Sequence, residues 1–192
     1  MTRKHAVLKA LVCSALLLSV TPVVAQTPDS ELRAVLKQTI EGATSFEDRF
    51  DAEVWLVDMS GRTRSWIKDD DERLEILRLI HQEAQRIDLE PELLLALIHV
   101  ESLYDRFAVS SAGAQGLMQV MPFWKNEIGR PDDNLTQIKT NLRYGSTILR
   151  HYLDIEKGNL TRALARYNGS LGKTWYPERV MNAWDKYYFV RN

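Results

Sequence analysis

Glu101 closes an unusual stretch: residues 93–100 read LLLALIHV, and the run ends in the carboxylate of Glu101. At about 100° per residue, Leu94, Leu97 and Ile98 fall on the same side of a helix as Glu101. Glu92, His99 and Ser102 mark a different, more polar stripe. Apolar surroundings disfavour the charged form of a carboxyl group and raise its pKa, and the negative end of the helix dipole acts in the same direction. A carboxyl that keeps its proton near neutral pH is what general-acid catalysis requires. Taken by itself the helix also fits a plainer reading, a glutamate at a helix end that meets solvent or Arg106.

Two further stretches bear on the choice. SSAGAQGLMQVMP, residues 110–122, brings Gly113 and Gly116 close together, which permits positive φ and a close approach of ligand to backbone. On an extended segment Gln119 and Met121 point the same way. An amide beside a flexible thioether suits a sugar, which offers hydroxyls and an apolar ring face. ARYNGS, residues 165–170, then supplies Tyr167 and Asn168 at a helix end, where a tyrosine can bond a hydroxyl and pack its ring on a pyranose. Separately, the loop reads equally as a tight turn feeding the core, and the tyrosine as a packed core residue.

Around these stretches the spacing of apolar residues is helical almost throughout, so the expected fold class is mainly α with one small irregular or β-like loop region. Ser30 to Gly42 predicts a first helix, and residues 45–59 a second, with Phe46, Phe50, Val54 and Val57 along one face and Gly61 ending or bending it. Asp69, Asp70 and Asp71 suit the start of a helix over 72–87, and Pro91 suits the first position of the next. Helical patterns continue over 134–153, 160–167 and 177–188.

The first 25 residues place Arg3, Lys4 and Lys9 before an apolar stretch, with Val23-Val24-Ala25 at its end. That order predicts a secretory signal peptide cleaved after about Ala25, and hence a periplasmic protein. A membrane anchor is the competing reading; the apolar stretch is short for a bilayer span and Pro22 interrupts it. The remainder divides into an N-terminal helical extension, 26–70, and a catalytic domain, 71–192. It carries 22 basic against 26 acidic residues, which points away from nucleic acid. Cys13 is the only cysteine, so the exported chain has neither disulfide nor thiol chemistry. His99-Val100-Glu101 echoes an H-x-E zinc pattern without the cysteine pair it needs, and no metal or cofactor is expected.

Together, the Glu101-Ser102 pair, the glycine loop and ARYNGS resemble, in order and spacing, the soluble-type lytic transglycosylase domain of bacteria, over roughly residues 74–184. The resemblance implies a goose-lysozyme-like fold and cleavage of the bond between N-acetylmuramic acid and N-acetylglucosamine in peptidoglycan, ending in a 1,6-anhydro sugar. It makes Glu101 the single catalytic acid and base. It places Ser110, Gln119, Met121, Tyr167 and Asn168 against the substrate, with Ser110 orienting the glutamate or the acetamido group. Two positions depart from the family pattern: Ile148 stands where a tyrosine is frequent, and Tyr167-Asn168-Gly169-Ser170 replaces YNAG. A lysozyme-type hydrolase and a non-catalytic wall-binding scaffold are the alternatives on this fold. The N-terminal helices, with Trp55 and Trp66, either pack on the catalytic domain or present a surface to a protein partner.

Overall fold

A computed structural model describes residues 44–46 and 48–190. The expected signal segment, its cleavage point and the first candidate helix, 30–42, lie outside the described residues. The helices are α1 (Arg49–Thr63), α2 (Asp70–Arg86), α3 (Pro91–Ser102), α4 (Trp124–Ile128), α5 (Ile138–Ile155), α6 (Leu160–Tyr167) and α7 (Trp175–Ala183). A π-helical turn, Trp184–Tyr188, extends α7. The fold is mainly α, and among the described residues no helix is long and apolar enough to cross a membrane.

Local chemistry sets the helix starts. Asp69 caps α2, its Oδ1 accepting from the Glu72 amide at 2.7 Å, while Asp70 and Asp71 occupy the first turn near the positive dipole end. Pro91 opens α3, where its missing N–H goes unneeded. Helix α5 begins four residues later than the sequence pattern, because Asn134 Oδ1 instead accepts from the Thr136 amide in a local turn.

Helix α3 is the axis of the molecule. Leu93 through Ile98 are all buried, and α2, α7 and the π-turn pack around it. Its polar stripe is half-buried and bonded: Glu92 accepts from Trp55 Nε1 at 2.7 Å, and Ser102 Oγ donates to the Leu117 carbonyl at 2.8 Å. Buried Glu83 ties α2 to α5 by accepting from Arg86, Arg143 and Ser146 at 2.7–2.9 Å.

Helix α1 corrects the expected face. Phe50, Val54 and Val57 are exposed, at 72%, 53% and 44%, whereas Ala52, Leu56 and Met59 enter the common core. The two stripes share one period and lie two residues apart, about 200° around the helix, so periodicity alone cannot choose between them. Gly61 does not end the helix, which runs on to Thr63. Phe46 instead stacks on His81, with ring centroids 3.6 Å apart, and Trp55 and Trp66 are half-buried against the core.

Between α3 and α4 the chain forms the irregular region, residues 103–123, with only the isolated bridges Val109–Gln115 and Gln115–Val120. Asn141 of α5 holds it down: its Oδ1 accepts from the Met118 amide at 2.7 Å, and its Nδ2 donates to the Gln115 and Leu135 carbonyls, both at 2.8 Å. The approach is close enough to demand glycine on both sides. A Cβ on Gly116 (φ 74°) would fall 2.4 Å from Asn141 Nδ2, and one on Gly145 would fall 2.5 Å from Met118 Sδ.

Candidate active site

Glu101 lies in the last turn of α3, half-buried. Immediately after that helix the chain turns through two residues in the left-handed region, Leu103 (φ 51°) and Tyr104 (φ 68°). Such conformations cost about 1–3 kcal/mol each and persist only where the surroundings hold them. Here Tyr104 is buried, its hydroxyl 3.0 Å from the Leu95 carbonyl and 2.8 Å from the Tyr188 hydroxyl. That anchored turn sends the chain from Glu101 into the glycine loop.

Burial pushes the Glu101 carboxyl from 4.5 up to about 7. Two groups act against burial: a hydrogen bond donated by the Tyr176 hydroxyl, and the positive charge of Arg179. Tyr176 is itself buried, and its hydroxyl is driven well above the ordinary tyrosine range by burial and then by the Glu101 charge, so it stays a donor. Arg106 is not the partner of Glu101: it lies 3.7 Å from Glu72. Asp105 is exposed and accepts from the Phe107 amide at 2.8 Å.

A groove of about 680 Å³ opens over Glu101. From the glycine loop it is lined by Ala108, Val109, Ser110 and Gln119; from α7 and the π-turn by Arg179, Asn182, Ala183, Lys186 and Tyr187. Among the described residues lining it, Glu101 is the only acid. His99 contributes as well, stacked on Tyr187 with centroids 4.8 Å apart, and burial followed by the Lys186 charge lowers its pKa, leaving the ring neutral at pH 7.

The structure brings Glu101, Ser110 and Gln119 to this one groove. Ser110 Oγ accepts from the Ala114 amide at 3.1 Å, which leaves its hydroxyl hydrogen to donate. Gln119 departs from the extended geometry expected of it. It is left-handed (φ 47°), and its Nε2 donates to the Gly116 and Ala108 carbonyls at 3.0 and 3.2 Å. Its Oε1 is therefore the atom left to face a ligand. Met121 is not among the lining residues.

Tyr167 stands behind the loop. Its hydroxyl donates to the Met118 carbonyl at 2.7 Å, and its pKa is raised by burial first and by the Glu101 charge second. It sits within the electrostatic reach of Glu101 but is not a lining residue. Asn168 is the exposed C-cap of α6, likewise outside the groove lining. Ile148 is a buried core residue.

The polar and charged groove residues absent from the sequence reading come from α7 and the π-turn. Pro177 looks like a first helical residue, which leaves Tyr176 outside the helix; in fact α7 starts at Trp175 and Pro177 is third. Proline is tolerated throughout that first turn. The signal that was available is the spacing of Arg179, Asn182, Ala183 and Lys186, one helical face at steps of three and four.

Against known families, residues 78–189 match the profile described as Transglycosylase SLT domain. The chain is 46% identical over 48 residues to membrane-bound lytic murein transglycosylase C of Actinobacillus pleuropneumoniae serotype 5b, covering 25% of this chain and 13% of that protein. It is 32% identical over 101 residues to a transglycosylase of Enterobacteria phage PRD1, 49% of this chain and 37% of that one. With membrane-bound lytic murein transglycosylase F of Desulfosudis oleivorans the identity is 34% over 98 residues, 49% of this chain and 22% of that one. The chain thus spans well under half the length of the relatives it matches.

Proposed function

Because the chain belongs to the transglycosylase SLT domain family, we propose that it is a peptidoglycan lytic transglycosylase in which Glu101 is both acid and base. The observation that carries the reading is a groove in which the only acid among the described lining residues is a carboxyl with a pKa of about 7. An acid poised there can hold a proton at neutral pH and release it at little free-energy cost.

Protonated Glu101 gives its proton to the oxygen linking N-acetylmuramic acid to N-acetylglucosamine, and that C–O bond breaks. The anomeric carbon becomes oxocarbenium-like, and the substrate's own acetamido group supports it, so a second carboxylate is not needed. Glu101, now ionised and held by the Tyr176 hydroxyl, takes the proton of the muramic acid 6-hydroxyl. That oxygen closes on the anomeric carbon and gives a 1,6-anhydro end; no water is consumed. Ser110 and the Oε1 of Gln119 offer a donor and an acceptor to the sugars. Tyr167 supports the loop, with Met121 and Asn168 assigned to more distant parts of the glycan path. No cofactor takes part. Residues 1–25 would deliver the protein to the periplasm, where this substrate lies.

An inverting hydrolase places a second carboxyl about 6.5–9.5 Å from the first to activate water, and among the described residues no acid besides Glu101 lines this groove. Mass spectrometry of digested peptidoglycan decides the matter. Anhydro ends are expected from the wild type, and about 10²–10⁴-fold less product from Glu101→Gln. Reducing ends without anhydro sugar would assign a hydrolase, and equal activity of the two proteins would remove Glu101 from the chemistry.

A further inference from the structure

The groove is electrostatically one-sided. Of its charged lining residues, Arg179 and Lys186 are cations and Glu101, with a pKa of about 7, is only partly ionised at neutral pH, although the whole sequence has a net charge of -1. The one-sidedness follows from helix phase. Arg179, Asn182, Ala183 and Lys186 share a face, while Glu178 and Asp185, the acids of the same segment, are not among the lining residues. Neither Arg179 nor Lys186 enters an ion pair among the described residues; Lys186 Nζ rests 4.8 Å from the centre of the Tyr187 ring. That ring is held in turn by its stack on His99 and by the π-turn. π-turns in helices recur at functional sites.

Two cations along one wall of a sugar groove call for an anionic substituent on the sugar chain. Seven residues of helix separate Arg179 from Lys186, about 10 Å along the axis. A single carboxylate cannot engage both. A peptide chain advances about 3.3–3.6 Å per residue, so an extended peptide of about three residues covers the spacing and can bring a separate carboxylate to each cation. Resting on the peptidoglycan reading above, we propose that Arg179, Asn182 and Lys186 form a site for the carboxylate-bearing peptide carried on the muramic acid, so that peptide-bearing strands are preferred to bare ones. In a bare strand the muramic lactyl group supplies one carboxylate, which the peptide converts to an amide; this second source of the same chemistry must be separated from the first.

The catalytically silenced Glu101→Gln protein allows binding to be read alone, with three ligands: peptide-bearing glycan, the same glycan stripped of peptide by an amidase, and a chitooligosaccharide with no carboxylate. Expected is roughly 10-fold tighter binding of the peptide-bearing strand than of the stripped one. That ratio should fall roughly threefold for each of Arg179→Gln and Lys186→Gln and recover in Lys186→Arg, as surface ion pairs allow. It should also shrink as salt is raised. Lys68→Gln, an exposed cation outside the groove, should leave the ratio in place. Equal affinity for peptide-bearing and stripped strands overturns the proposal, and if both exceed the chitooligosaccharide the lactyl carboxylate is the ligand instead. A ratio unmoved by Arg179→Gln and Lys186→Gln overturns it too. Wild-type product analysis is independent: missing anhydro ends with the binding order intact would refute the reaction and leave this site standing.

Discussion

The burial of Glu101 can be read as stability, without any substrate. Moving its carboxyl from 4.5 to about 7 means that the folded protein binds that proton more tightly than the unfolded chain, by about 3 kcal/mol at about 1.4 kcal/mol per pH unit. The sign is the reverse of an ordinary salt-bridged acid. Below about pH 4 both states carry the proton, and the group contributes nothing to the balance. Between 4.5 and 7 the unfolded chain loses the proton while the folded one keeps it, so stability falls as pH rises. Above 7 the full penalty applies and no longer changes. Glu101→Gln has the same shape and no titration, and all other groups cancel in the comparison. Its stability advantage over the wild type should therefore grow by about 3 kcal/mol between pH 4 and pH 8. With a urea slope of about 1–3 kcal/mol per molar, the two midpoints should separate by about 1–3 M more at pH 8 than at pH 4. A difference that stays level across this range, or that widens toward acid, would refute the buried-acid account of Glu101 whatever the enzyme assays say.

Tyr176→Phe keeps the buried ring but removes the donor that favours ionised Glu101. The descending limb of the pH–rate profile should move to higher pH by about one unit or more, since bonds to charged groups contribute about 1.5–3 kcal/mol; an unmoved limb would show that the bond does not tune the acid. Asn141→Ala deletes three hydrogen bonds beneath the glycine loop, two of them buried. It should destabilise the fold by about 2–4 kcal/mol, seen as a lower thermal midpoint, and raise KM more than it lowers kcat because Gln119 loses its support.

How much of this was legible depended on how local the physics was. Asp69 and Pro91 could be placed because a cap or a first-turn proline acts on its own helix within a few residues. The apolar run before Glu101 could be placed because six successive apolar residues, Leu93 to Ile98, fix the fate of a helix. The face of α1 could not, since two apolar stripes compete and only the packing against α2 chooses between them. The backbone at Gln119 could not be read, because a left-handed residue breaks the alternation that an extended segment would impose. Helix α4 has five residues, too few for any period to emerge. Asn141 was invisible as an anchor because its three partners lie 6, 23 and 26 residues away.

The same distinction divides the chemistry of Glu101 into two parts. Its apolar surroundings are written in one helix, and alone they would hold the proton ever more tightly. A proton held too tightly protonates the leaving oxygen poorly, because an acid works best with a pKa near the working pH. The opposing pull comes from Tyr176, 75 residues further along the chain, and from Arg179, one helical turn beyond it. Helix α7 must therefore dock on α3 before the acid acquires its pKa of about 7. Loosening that contact would leave Glu101 present yet mistuned. For the proposed reaction the pairing supplies both halves of the cycle: burial keeps the proton until it is needed, and the tyrosine and arginine steady the carboxylate that must then take one back.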